Sequence, residues 1–236
     1  MSRSPTPSWL RPFTERLSPT IRNLVVAEAV VFGLAVMARG LREPIAMHLA
    51  LGPGIWAGEL WQPVTSLFVH TELWSFFFNM LGLWFVGATV ERVFGRRRFL
   101  LIFFVTGIAA NLVTAGLIGW LRMGVRNEGC GDSVLALFVV LGVVYGRTPV
   151  RVFGQLVLQA RVLAWILVGI AVLSLVVYGA WPILGGTLVA LGLAYVLAGG
   201  KLGPLGAFLE GLRGRRRSDL QVLEGGRGKG RRTYMN

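Results

Sequence analysis

Hydrophobic residues fall into six clusters along the chain, separated by shorter polar or basic gaps. They are Arg22–Ala38, Leu73–Val90, Phe99–Trp120, Ser133–Tyr145, Val162–Tyr178 and Pro182–Leu197. Crossing about 30 Å of hydrocarbon takes roughly 20 helical residues, and a helix satisfies its own backbone groups on the way. The pattern predicts an all-α polytopic membrane protein with six transmembrane helices. The fourth cluster is short, and the Leu- and Val-rich sequence up to Leu158 either extends it or lies along the interface. Val36-Met37-Ala38-Arg39 makes a poor cleavage site, so the first cluster is expected to remain as a span.

Composition agrees with this pattern and adds an orientation. Hydrophobic residues make up 54% of the 236 and charged residues only 15%, against about a quarter in soluble domains. The formal net charge of +13 lies in the gaps and tails, where basic residues set orientation and touch anionic lipid. Nucleic-acid binding is therefore not expected, and the lipid bilayer is the expected partner. Of 24 Lys and Arg, only Arg39, Arg42, Arg122 and Arg126 fall on one side of a six-span arrangement. The other 20 share the side of both termini, which predicts a multi-pass protein with cytoplasmic termini, in the plasma membrane if the source is bacterial.

Three regions follow. Residues 1–21 form a basic cytoplasmic segment and residues 22–199 the membrane domain. Residues 200–236 form a basic tail, ending "RGRRRSDLQVLEGGRGKGRRTYMN", whose composition predicts disorder and lipid contact. Cys130 is the single cysteine, and His48 and His70 are the only histidines. No intrachain disulfide or CxxC motif exists, and no metal or cofactor is expected.

The gap after the first cluster carries the most specific pattern. The stretch His48–Gly95 is apolar and Trp-rich yet broken by Pro and Gly, which suits an outside loop lying in the interface against the helices. Within it stand Gly58-Glu59-Leu60-Trp61-Gln62-Pro63-Val64-Thr65 and then His70, followed by Ser75, Asn79, Glu91-Arg92 and Gly95. The last cluster reads "ILGGTLVALGLAYVL". This set resembles the rhomboid family of intramembrane serine proteases, whose loop typically reads G-E-x-W-R-x-x-T-x-x-F-x-H. The family's second span typically reads H-x-x-x-x-H-x-x-x-N, and its sixth carries H-L-G-G. Gln62 stands where the family has Arg. The resemblance implies a six-helix rhomboid-like bundle with an interfacial first outside loop. Trp61 and Glu59 would serve that loop, while Gly186 and Ala190, a small-xxx-small pair, would bring the sixth helix against the fourth.

The resemblance also implies which positions should be catalytic. Rhomboid proteases use the serine of G-x-S-G as nucleophile and a sixth-helix histidine as its base. Here those positions are Gly131 and Ile183. A serine hydroxyl without a base in reach is a poor nucleophile, and isoleucine cannot accept a proton. On the oxyanion side Ser75 replaces a histidine, while Asn79 is retained. Ser133 is the alternative nucleophile if the alignment slips by two residues, about 200° around a helix. Asp132-Ser133 ahead of a Val/Leu run is also a preferred helix cap, and that reading outweighs the nucleophile. His70 is expected as a hydrogen-bonded loop residue rather than a substitute base. Glu28, an acid within the first span, is a functional candidate by position, or a group that snorkels or pairs with Arg22.

The expectation is a rhomboid-like pseudoprotease that binds client transmembrane helices without cleaving them. Two alternatives stay open: an active intramembrane serine endopeptidase using Ser133 with an unrecognised base, and a structural membrane protein without a client.

Overall fold

In a computed structural model, the structure describes residues 18–37, 40, 42–152 and 156–199. Arg39, residues 1–17 and the basic tail from residue 200 lie outside the described residues, so the expectations placed on them are not addressed.

The main elements are helices. α1 spans Pro19–Met37 and α2 spans Arg42–Leu49. A 3-10 turn at Pro53–Ala57 and a single helical turn, α3 (Gln62–Thr65), follow in the loop. α4 runs Leu73–Phe94 and α5 runs Arg96–Leu121. α6 is Gly131–Val144, α7 Ala160–Val177 and α8 Trp181–Leu197. Between α6 and α7 the chain forms an antiparallel pair, β1 (Pro149–Val152) and β2 (Leu156–Gln159), with Pro149 opposite Gln159 and Val152 opposite Leu156. This hairpin corrects the reading that the sequence up to Leu158 extends the fourth helix, and it corrects the all-α expectation to a mostly helical fold.

Four helices, α1, α4, α5 and α7, are long and apolar enough to cross a membrane. α6 has 14 residues and α8 has 17, which at 1.5 Å per residue gives about 21 and 26 Å. The lipid-facing character is visible in side chains such as Val30, Trp74, Phe78, Trp165, Leu173 and Val177, all exposed on the outside of the bundle. The chain is an integral membrane protein.

α5 is the helix around which the others pack. Its buried positions, Phe99, Ile102, Phe103, Thr106, Gly107, Ala110, Asn111, Thr114, Ala115 and Ile118, recur at helical spacing along one stripe. α8 presents a stripe of its own, with Gly186, Thr187, Ala190 and Ala194 buried. A Cβ at Gly186 would run into Thr114 Oγ1 and the Ala110 carbonyl of α5. The small residue at 186 thus meets the third apolar helix rather than the fourth, although α8 also packs against α6, the fourth, as expected. Thr187 links α8 to Asp132 at the start of α6. The inner apolar cluster joins Ile21 and Leu24 of α1, Leu83 and Val86 of α4, Phe99 and Phe103 of α5 and Leu137 of α6.

Gly186→Leu tests that packing. Overfilling a close helix contact costs about 1–3 kcal/mol, and the backbone carbonyl at Ala110 has little room to move. Thermal unfolding in detergent should show a clearly lowered midpoint for this variant and little change for Gly192→Leu, where a Cβ meets nothing within 4 Å.

Candidate functional site

The loop from Ala50 to Thr71 is irregular, so its backbone groups need partners supplied from elsewhere. Gln62 is fully buried and supplies several. Its Oε1 accepts from the Gly52 amide at 3.0 Å, and its Nε2 donates to the Met47 carbonyl and to Glu59 Oε2. Glu59 also accepts from His48 Nδ1 at 2.6 Å, and Trp61 Nε1 donates to the His48 carbonyl at 2.8 Å. Glu59 and Trp61 therefore hold the loop to α2, although the Trp61 ring itself stays half-exposed.

The same loop is fastened to the stretch leading into α6. Leu51 and Asn127 exchange backbone hydrogen bonds at 2.9 and 2.8 Å, and the Gly129 amide donates to the Ser66 carbonyl at 2.8 Å. Asn111 of α5 sits between the two. Its Nδ2 donates to the Pro63 carbonyl and to Ser66 Oγ, both at 2.9 Å, and its Oδ1 accepts from Asn127 Nδ2 at 3.0 Å. The Thr71 amide donates to Glu128 Oε1 at 2.8 Å. These bonds fix where Cys130, Gly131 and Asp132 begin the helix.

The first turn of α6 sends three side chains in different directions. Gly131 faces α4, where a Cβ would stand 3.7 Å from Asn79 Oδ1 in ordinary contact. Asp132 faces α8, where Thr187 Oγ1 donates to its Oδ1 at 2.6 Å. Ser133 is buried and faces α5, donating to the Phe103 carbonyl at 2.8 Å, with Gly107 beneath it. Neither Asp132 nor Ser133 caps the helix. The cap residue is Cys130, with no side-chain capping bond. The capping expectation is corrected, because both polar groups are drawn to neighbouring helices that offer a donor or a carbonyl.

Ile183 lies in the first turn of α8, one turn above Thr187 on the same face. Its side chain is part-buried and apolar. On α4, Asn79 Nδ2 lies 3.4 Å from Ser75 Oγ and 3.1 Å from His70 Nε2. Gly129, at φ 87°, closes over that imidazole, since a Cβ there would meet His70 Nε2 at 2.8 Å. His70 is fully buried, and burial pushes its pKa down to about 4, so the ring is neutral near pH 7. It is hydrogen-bonded through Nε2 as expected of a loop residue, but its Nδ1 has no hydrogen-bond partner.

Glu28 corrects a further expectation. It neither snorkels nor pairs with Arg22; it is fully buried and accepts from Cys130 Sγ at 3.3 Å. Its Oε2 lies 3.9 Å from His70 Nδ1, and its Oε1 is unpartnered. Glu28, His70 and Cys130 thus meet in one buried cluster. No spacing signal announces it, because Glu28 and Cys130 lie 102 positions apart.

The family model for the Rhomboid domain matches residues 57–200, more than half of the chain. The chain belongs to the rhomboid family. It is similar to the rhomboid protease GluP of Bacillus subtilis (strain 168), with 40% identity over 84 residues, covering 36% of this chain and 17% of that protein. Rhomboid-like protease 2 of Toxoplasma gondii is 30% identical over 142 residues, 56% of this chain and 48% of its own length. The protein named inactive RHOMBOID-like protein 8 of Arabidopsis thaliana is 33% identical over 84 residues, 36% of this chain and 22% of its own. The chain spans less than two thirds of the length of these relatives.

In this rhomboid the Asp132–Thr187 bond joins α6 to α8 beside Gly131. Thr187→Val keeps the volume but removes the donor to a part-buried carboxyl group, which should cost about 1–3 kcal/mol. Thermal unfolding in detergent should show that loss, and Asp132→Asn combined with Thr187→Val should add little beyond it.

Proposed function

We propose that this rhomboid-family protein is a pseudoprotease, holding transmembrane segments of client proteins without cutting them. The observation that carries the reading is the polar layout around the first turn of α6. Gly131, at the nucleophile position, has no side chain to offer Asn79. Ile183, at the base position, has no basic atom. Ser133 spends its hydroxyl proton on the Phe103 carbonyl. Both histidines are engaged away from α8, His48 with Glu59 and His70 with Asn79. Removing catalytic members that act as a unit leaves binding and weak residual catalysis.

The proposed arrangement has six spans, with α6 and α8 as the two short ones, both termini cytoplasmic and the Ala50–Thr71 loop in the outer interface. Residues 22–199 form the working domain. Asn79 and Ser75, both part-buried, offer polar partners near the outer end of α4, which favours clients whose helices carry polar or helix-breaking residues with unsatisfied backbone. Similarity to a relative whose name calls it inactive supports the reading, while similarity to relatives named proteases supports the rival one.

A serine-directed fluorophosphonate probe separates the two. Purified protein should not label, and Ser133→Ala should look the same as the parent. Labelling abolished by Ser133→Ala would establish an active serine and sink the pseudoprotease reading. A photo-crosslinking residue at Ser75 should capture membrane proteins in living cells; capture of lipid alone would favour a structural role without a client.

A further inference from the structure

Glu28 of α1, His70 of the loop and Cys130 before α6 bring a carboxylate oxygen, an imidazole nitrogen and a sulfur within 4.8 Å of one another, all fully buried. We propose that these three side chains form a binding site for a single divalent transition-metal ion of the zinc class.

Four observations point the same way. The donor set is mixed sulfur, nitrogen and oxygen, which zinc accepts at about 2.0–2.3 Å and in tetrahedral geometry. Bonds of that length at tetrahedral angles hold donor atoms roughly 3.3–3.8 Å apart. Here Cys130 Sγ and Glu28 Oε2 are 3.3 Å apart, and Glu28 Oε2 and His70 Nδ1 are 3.9 Å apart. The third pair, Cys130 Sγ and His70 Nδ1, lies within 4.8 Å, so a side-chain movement of about 1 Å brings all three donors to tetrahedral spacing.

Two atoms of the cluster are also orphans. Glu28 Oε1 and His70 Nδ1 are buried with no hydrogen-bond partner, a state that folded proteins rarely leave uncompensated. Nδ1 is the nitrogen facing the cluster, while Nε2 is taken by Asn79 at 3.1 Å. Ligation through Nδ1 leaves the proton on Nε2, and flipping the Asn79 amide presents its oxygen to that N–H. The ligand would then have the outer partner that orients metal-bound imidazoles.

Charge balances as well. Binding displaces the Cys130 thiol proton and any proton on Glu28, so carboxylate, thiolate and neutral imidazole around a dication carry no net charge. A neutral unit is what a buried, low-dielectric site tolerates. The ion would tie α1, the loop and the first turn of α6 together, three segments distant in the chain. The site does not depend on whether a client is held or cut.

The test uses the full chain, purified in detergent through a tag free of histidine. Loaded with zinc and desalted, it should retain about one ion per chain by plasma mass spectrometry. Loaded with cobalt, it should show sulfur-to-cobalt charge-transfer absorption in the near ultraviolet. Cys130→Ser, His70→Gln and Glu28→Gln should each weaken zinc binding by about 10- to 100-fold or more, while His48→Gln should not. Failure to retain zinc or cobalt would overturn the site. So would cobalt bound without the sulfur band, a reading taken on the unaltered chain that stands even if the variants fold poorly. Zinc retained equally by all three variants would overturn it too.

Discussion

A single amide on α5 joins the irregular outer loop to the stretch that leads into α6. Inside or beside a bilayer, irregular backbone is tolerated only where protein groups satisfy it. Asn111 does this from the middle of an apolar helix by donating twice and accepting once, to Pro63, Ser66 and Asn127. Those bonds dock the outer loop on the stretch that leads into α6, and the Leu51–Asn127 and Gly129–Ser66 backbone pairs complete the join. Where α6 begins, and therefore where its first side chains point, follows from that seam. Burying a polar group is costly unless it is fully bonded; Asn111 meets that condition with each of its amide atoms.

From this start, the directions of Gly131, Asp132 and Ser133 follow from helical geometry. Successive residues turn by about 100°, so the three face α4, α8 and α5 in turn. The only hydroxyl among them is the one that faces α5, where a backbone carbonyl accepts its proton. The carboxyl group facing α8 finds Thr187 rather than an imidazole. Polar groups in this turn are invested in holding helices to one another, which is the physical basis for reading the protein as a holder rather than a cutter.

Much of this was legible in the sequence. The apolar clusters locate the helices to within a few residues, and the Gly58–Thr65 motif with His70, Asn79 and Glu91 points to the rhomboid family before any coordinate is considered. What escaped depends on contacts between distant segments. Gly186 announces a close approach but not its partner, which is Ala110 and Thr114 of α5 rather than α6. Asp132-Ser133 has the composition of a cap, and only the neighbouring helices reveal that both side chains are used elsewhere. Glu28 reads from position as a residue near the membrane edge, yet it is buried against Cys130. The hairpin at Pro149–Gln159 was concealed by an apolar composition that suits a helix, a strand or an interfacial segment equally.

Cleavage in a defined membrane is the most direct measurement of whether this layout holds or cuts. The purified protein would be reconstituted into liposomes with single-span substrates carrying a helix-breaking residue in the outer half of the span. A holder leaves each substrate intact while retaining it in a complex that survives detergent extraction. Cleavage products that form in proportion to the protein and vanish with Ser133→Ala would contradict that reading and restore a serine protease.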